Sequence, residues 1–271
     1  MQKNVIEYLL RTAETYPQKI AVQDSVKEIT FAQLLERAHI LASKVRQYGI
    51  MNSPVGVYIP KGCDAVTAFA ALSMSGNFYV PLDTKSPSSR VESIITVLDT
   101  PILITDSEHF TDLQKITDRP ILVIDNSYTD SSIQRIAIEK LMEKQIDTDP
   151  VYSIFTSGST GIPKGVVVSH RGVIDYIDWA IETFHIDSTS IIGNQAPFYF
   201  DNSTLDIYLM YATGATLNII PDTFFAFPAK LVEYLDEKKI TFVFWVPFVL
   251  VNMANFKILD SRKPQYLRDV F

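Results

Sequence analysis

Short apolar runs alternate with helical stripes along most of this chain, and that alternation leaves few folds open. From Thr30 to Gly49, apolar residues fall at Leu34, Leu35, Ala38, Leu41, Ala42 and Val45, the spacing of one helix face. Thr30 with Gln33 has the form of a capping box, and Gly49 stops the helix. Val55–Ile59 reads as a strand, Asp64–Ser75 as a mostly apolar, buried helix, Tyr79–Leu82 as the start of a loop, and Ser89–Leu98 as a helix. Ile102–Thr105 and Ile121–Ile124 are short strands, each just after a proline, and Ile133–Lys144 is an amphipathic helix. The polar segment Gln145–Pro150 marks the best internal boundary. A second series follows: strand Val151–Phe155, helices His170–Thr183 and Ser203–Thr213, strand Ala215–Ile220, helix Pro228–Lys238 and strand Ile240–Trp245. Strands separated by helices need crossover connections, which make a largely parallel sheet. The expectation is an α/β fold of two packed lobes of mainly parallel sheet flanked by helices. Residues 1–150 form the first lobe, with an N-terminal helix, and residues 151–271 the second.

The second series opens on the segment richest in chemistry. Phe155-Thr156-Ser157-Gly158-Ser159-Thr160-Gly161-Ile162-Pro163-Lys164-Gly165 holds three glycines, four hydroxyl residues and one lysine. An apolar run precedes it, and the β-branched Val166-Val167-Val168 follows. Glycines let backbone N–H groups converge on one point, and such a nest with added hydroxyls and a lysine suits a polyphosphate. It is not the G-x-x-x-x-G-K-[ST] loop: Gly161 comes too early, Pro163 precedes the lysine and Gly165 follows it. A plain Gly/Ser-rich hairpin turn is the alternative.

Thr-Ser-Gly-Ser-Thr-Gly-x-Pro-Lys-Gly resembles the phosphate loop of the adenylate-forming enzymes, which include amino-acid adenylation domains of peptide synthetases, acyl- and aryl-CoA ligases, and luciferases. Ile29-Thr30-Phe31-Ala32-Gln33-Leu34, Gly76-Asn77-Phe78-Tyr79-Val80-Pro81-Leu82-Asp83 and Phe200-Asp201-Asn202-Ser203 resemble further motifs of adenylation domains, in the right order. The run Asn194–Asp201 is similar to its counterpart in D-alanine–carrier-protein ligases. The resemblance covers essentially the whole chain but only the N-terminal portion of a family that is about twice as long.

The resemblance implies a reaction and its residues. An amino acid and ATP, with Mg2+, would give an aminoacyl-adenylate and pyrophosphate, and the aminoacyl group would pass to a phosphopantetheine thiol on a carrier protein. Thr156, Ser157, Gly158, Ser159, Thr160, Gly161, Lys164 and Gly165 would hold the phosphates, with Lys164 and Thr156 acting in catalysis. Asp201 would pair with the substrate ammonium, while Asn202, Leu205 and Phe244 would line a small side-chain slot. The expected substrate is a small neutral amino acid, alanine being the best single guess. Asp201 alternatively caps the helix that follows it, and Leu205 and Phe244 alternatively pack the core. Competing readings of the chain are an acyl- or aryl-CoA ligase fragment and a non-catalytic nucleotide-binding remnant.

Bulk composition excludes other classes. Lys and Arg number 24 against 31 Asp and Glu, a net charge of −7, which argues against a nucleic-acid partner. A single cysteine, Cys63, excludes an internal disulfide and a cysteine metal cluster. His39, His109, His170 and His185 share no metal-ligand spacing, so no metal site is expected. The N-terminus lacks the build of a signal peptide, and the longest apolar run, Phe242–Val251, is interrupted by Pro247. The expectation is a soluble, cytoplasmic protein with no membrane contact. Asp269-Val270-Phe271 reads as the start of a buried strand, so the chain is expected to be truncated, without the C-terminal half of the enzyme, and inactive by itself.

Overall fold

The structure, a computed structural model, describes residues 2–124, 134–156 and 162–271. In chain order the first elements are α1 (Ile6–Thr15), β1 (Ile20–Gln23), β2 (Glu28–Thr30), α2 (Phe31–Arg46), β3 (Pro54–Tyr58), α3 (Cys63–Met74), β4 (Phe78–Pro81), α4 (Ser88–Leu98), β5 (Leu103–Asp106), α5 (Phe110–Ile116), β6 (Ile121–Ile124) and α6 (Arg135–Lys144). There follow β7 (Pro150–Thr156), β8 (Lys164–Ser169), α7 (His170–Phe184), β9 (Ile191–Asn194), α8 (Asn202–Thr213), β10 (Thr216–Ile219), a 3-10 turn at Asp222–Ala226, α9 (Pro228–Glu237), β11 (Phe242–Val243), α10 (Pro247–Asn255), α11 (Ile258–Ser261) and β12 (Asp269–Val270).

Two six-stranded sheets result, with orders β6-β5-β3-β4-β7-β8 and β12-β11-β9-β10-β1-β2. Only β7 with β8 and β1 with β2 pair antiparallel, and the other neighbours are parallel. The α/β class expected from the alternation is the class found. Sheet membership crosses position 150. The hairpin β7–β8 completes the first sheet through Tyr79↔Tyr152, and the early strand β1 joins the second through Val22↔Leu217.

The capping box at Thr30 forms as its spacing predicts. The Thr30 side chain accepts from the Gln33 N–H (3.2 Å), and Gln33 Oε1 accepts from the Thr30 N–H (2.9 Å). The segment expected to begin a loop at Tyr79 is instead β4, buried along its whole length between β3 and β7. A central parallel strand is covered on both faces and shows no alternation to read. The strand expected over Ile240–Trp245 shrinks to Phe242–Val243, and Pro247 opens α10 at a position where its missing N–H costs nothing.

One continuous core links the sheets. It runs from Val55, Val57 and Tyr152 of the first through Leu41, Phe69, Leu205 and Leu209 of α2, α3 and α8 to Val22, Ile192 and Leu217 of the second. Smaller clusters close the outer faces, with Val91, Ile94 and Leu113 over the first sheet and Leu231, Leu235 and Val249 over the second. Helix α8 therefore lies between two sheets, and every residue from Ser203 to Tyr211 is buried. Among the described residues no helix is long and apolar enough to cross a membrane.

Candidate functional site

The hairpin β7–β8 carries the glycine-rich segment. Its last described pair is Thr156↔Lys164, and residues 157–161 between them lie outside the described residues, so Ser157, Gly158, Ser159, Thr160 and Gly161 have no structural account. Thr156 and Lys164 are both exposed, and among the described residues the Thr156 hydroxyl reaches only the Lys164 carbonyl, at 3.5 Å. Among the described residues Lys164 makes no ion pair. Gly165 pairs with Phe155 across the hairpin, and a Cβ there would lie 2.8 Å from Ser153 Oγ and 2.9 Å from the Phe155 ring. Close strand approach alone therefore requires glycine at this position.

Beside the hairpin lies a cavity of about 450 Å³. Ile154 and Thr156 from β7, Val166 and Val168 from β8, and Tyr199, Phe200 and Asp201 from the turn before α8 form one side of its lining. Pro81, Asp83, Ser86 and Arg90, from the end of β4 to α4, also line it. The β-branched residues of β8 thus give an apolar wall, while Asp201, Asp83 and Arg90 bring charge.

Asp201 occupies the N-cap position of α8, with helical backbone angles and no side-chain capping bond. Capping falls instead to main-chain geometry, since the Asp201 carbonyl accepts from the Thr204 N–H (2.9 Å) and the Thr204 hydroxyl (2.7 Å). The exposed carboxylate remains available to a ligand in the cavity. Its field reaches Tyr152, whose hydroxyl is pushed up chiefly by burial and further by the Asp201 charge. Asp83 is engaged at the opposite rim. It accepts from Ser86 Oγ (2.8 Å) and from the Lys85 N–H (3.0 Å).

The cavity brings Thr156 and Asp201 together. It does not include Asn202, Leu205 or Phe244. Asn202 is half-buried at the first turn of α8, Leu205 is fully enclosed in the inter-sheet core, and Phe244 stacks on Phe271 with ring centroids 5.0 Å apart. Residues that sequence reasoning passed over, Arg90, Tyr152 and Tyr199, line the cavity. Of the lining residues given no role beforehand, Pro81 and Asp83 lay in the Gly76–Asp83 motif and Tyr199 in the Asn194–Asp201 run, whereas Arg90 and Tyr152 carried no motif signal. Among the described residues no cluster of three or more His, Cys, Asp or Glu is arranged to hold a metal ion.

Comparison with known proteins shows the family. Residues 9–269 match the family of AMP-binding enzymes. The D-alanine–D-alanyl carrier protein ligase of Lacticaseibacillus paracasei is 32% identical over 227 residues, covering 82% of this chain and 43% of the ligase. Zwittermicin A synthase ZmaJ of Bacillus cereus is 29% identical over 275 residues, covering 100% of this chain and 50% of that protein. Among solved structures, the nonribosomal peptide synthetase FmoA3 superposes with a TM-score of 0.83 at 27% identity, covering 96% of this chain and 27% of FmoA3. The chain thus spans half or less of the length of these relatives. The family model spans nearly the whole chain, and the chain belongs to the family of AMP-binding enzymes.

Proposed function

We propose that this chain supplies the phosphate-binding hairpin and the amino-group anchor for ATP-dependent activation of a small neutral amino acid. The observation that carries the reading is one cavity that joins Thr156, at the root of the glycine-rich segment, to the uncommitted carboxylate of Asp201. In the reaction a substrate carboxylate oxygen attacks the α-phosphorus of ATP. An acyl–phosphate bond forms, the bond to the β-phosphate bridge breaks, and pyrophosphate leaves. A carrier-protein phosphopantetheine thiol then displaces AMP to give a thioester. Both reactants of the first step are anionic, so the protein must neutralise charge and hold them in line.

The residues present fit those demands. Thr156 offers a hydroxyl with one long contact among the described residues, and Lys164, its partner across the hairpin, an exposed side chain. Mg2+, brought by the nucleotide, would supply further neutralisation of phosphate charge, and among the described residues no His, Cys, Asp or Glu cluster is arranged to hold it. Asp201 meets the substrate ammonium, and Ile154, Val166 and Val168 give the cavity an apolar wall against which a small side chain can rest, with Asp83 and Arg90 on the segment from β4 to α4. Relatives named as D-alanine and L-proline carrier-protein ligases support a small neutral substrate. The roles of Asn202, Leu205 and Phe244 in a side-chain slot would need rearrangement of α8 and β11, because none of the three reaches this cavity. The reading places the reaction in the cytoplasm, where ATP and carrier proteins meet. The chain alone is proposed to be inactive, in keeping with its share of its relatives' length.

Pyrophosphate exchange into ATP tests the reading in a protein of the relatives' length that contains this chain. Alanine should support exchange, and propionate, the same molecule without its amine, should not. Equal exchange with both would remove the need for Asp201 and favour an acyl-CoA ligase.

A further inference from the structure

Five residues beyond Asp201, the same helix buries a second carboxylate completely. Asp206 and Asn194, on β9, are both 0% exposed. Asn194 Nδ2 donates to Asp206 Oδ2 at 2.9 Å. The other oxygen of each side chain, Asp206 Oδ1 and Asn194 Oδ1, is buried with no hydrogen-bond partner among the described residues. Two acceptors, on side chains already joined by one hydrogen bond, cannot satisfy each other unless a proton lies between them. Leaving both unpaired in the core is costly, and an isolated buried carboxylate costs more.

We propose that Asp206 and Asn194 form a cyclic acid–amide pair. In it Asp206 is a neutral carboxylic acid that donates its Oδ1–H to Asn194 Oδ1 while accepting from Asn194 Nδ2. One proton then satisfies both orphan atoms and joins α8 to β9 through two hydrogen bonds. The pair locks the helix whose N-terminus presents Asp201, which makes Asp206 a positioning residue. That last role rests on the proposed function, whereas the lock itself does not.

The surroundings favour the neutral form. Burial pushes the Asp206 carboxyl up to about 8, with the Asn194 hydrogen bond and the Lys61 charge opposing it. Lys61, from the loop after β3, is committed elsewhere: it pairs with Asp222 (2.8 Å) and donates to the Gln195 carbonyl (3.1 Å). From α7, Tyr176 feels the Asp206 charge but is itself held protonated, chiefly by burial. From α1, Tyr8 is directed to Asp178, and β10, Thr216–Ile219, carries no titratable side chain.

The sign of the pH effect follows. The folded chain binds this proton more tightly than the unfolded one, so stability is fully present at acid pH and is lost as pH rises towards about 8. Asp206→Asn keeps the ring as an amide–amide pair but removes the proton. In denaturant titrations of the 271-residue chain, the unfolding constant of the wild type relative to this variant should rise about tenfold per pH unit up to about pH 8, then level off. Parallel curves for the two proteins would overturn the proposal. A second measurement needs no variant. Infrared spectra of the wild type should show a protonated-carboxyl carbonyl band at about pH 6.5, where an ordinary Asp is ionised, and lose it at about pH 9.5. Absence of the band at the lower pH would also overturn it.

Discussion

Asp201→Asn separates the two duties open to a carboxylate at the start of α8. The side chain is exposed, makes no capping bond and lines the cavity. Asparagine caps as well as aspartate, and an exposed substitution typically changes stability by about 0.5 kcal/mol or less. The fold should therefore be indifferent, and the melting temperature should stay within a degree or two of wild type, roughly what such a change produces. Activity should respond strongly. A charge-assisted hydrogen bond to the substrate ammonium is worth about 1.5–3 kcal/mol, so kcat/KM for amino-acid-dependent exchange should fall about 10- to 150-fold. Both quantities are to be read on one preparation, in the protein of full family length. Wild-type kcat/KM in a folded variant would refute the ammonium contact. A loss of activity matched by a large fall in melting temperature would assign Asp201 to the fold instead.

Three further outcomes follow from the same geometry. Lys164→Ala and Thr156→Ala should each slow exchange by about one to two decades through lost contacts to the leaving phosphates, and unchanged kinetics in both would reduce the hairpin to a structural turn. Gly214→Ala should destabilise by at least about 1–2 kcal/mol in a denaturant titration, because Gly214 sits at φ +76° and a Cβ would lie 2.8 Å from the Tyr16 ring; an unchanged midpoint would contradict this. His170 accepts from the Val5 N–H at 3.3 Å, and burial lowers its imidazole to about 4. The unfolded chain then binds that proton first, so this contribution is present above the ordinary histidine range and is lost as pH falls towards about 4. Asp206 has the opposite slope over that window. His39, lowered chiefly by burial, acts in the same sense as His170, so His170→Gln should make stability fall more steeply with rising pH across this window than it does in the wild type. An unchanged slope in His170→Gln would count against the assignment.

Features written in local sequence could be read locally. The Thr30–Gln33 capping box needs only four residues, and the alternation of strands and helices needs only its own periodicity. Features set by distant pairing could not. Strand β1 meets β10 through Val22↔Leu217, 195 residues apart (217 − 22), and β4 is central to its sheet with no alternating pattern. Helix α8 shows the same limit for a site. Leu205 lies four residues after Asp201, which puts it on the same helical face. That spacing cannot say which face meets a cavity when every side of the helix is buried. The Asp206–Asn194 pair was equally hidden, because a carboxylate in an apolar helix looks structural until its partner strand is in place. The glycine-rich segment pointed to a phosphate ligand by composition alone, yet only the fold shows that Gly165 is also demanded by Phe155 across the hairpin.

The most direct measurement of the central claim is a crystal structure of the family-length protein with a non-hydrolysable aminoacyl-adenylate and pyrophosphate. The account predicts the ligand ammonium on the Asp201 carboxylate and the pyrophosphate beside Thr156 and Lys164. An ammonium held by other groups, with Asp201 facing solvent, would contradict it.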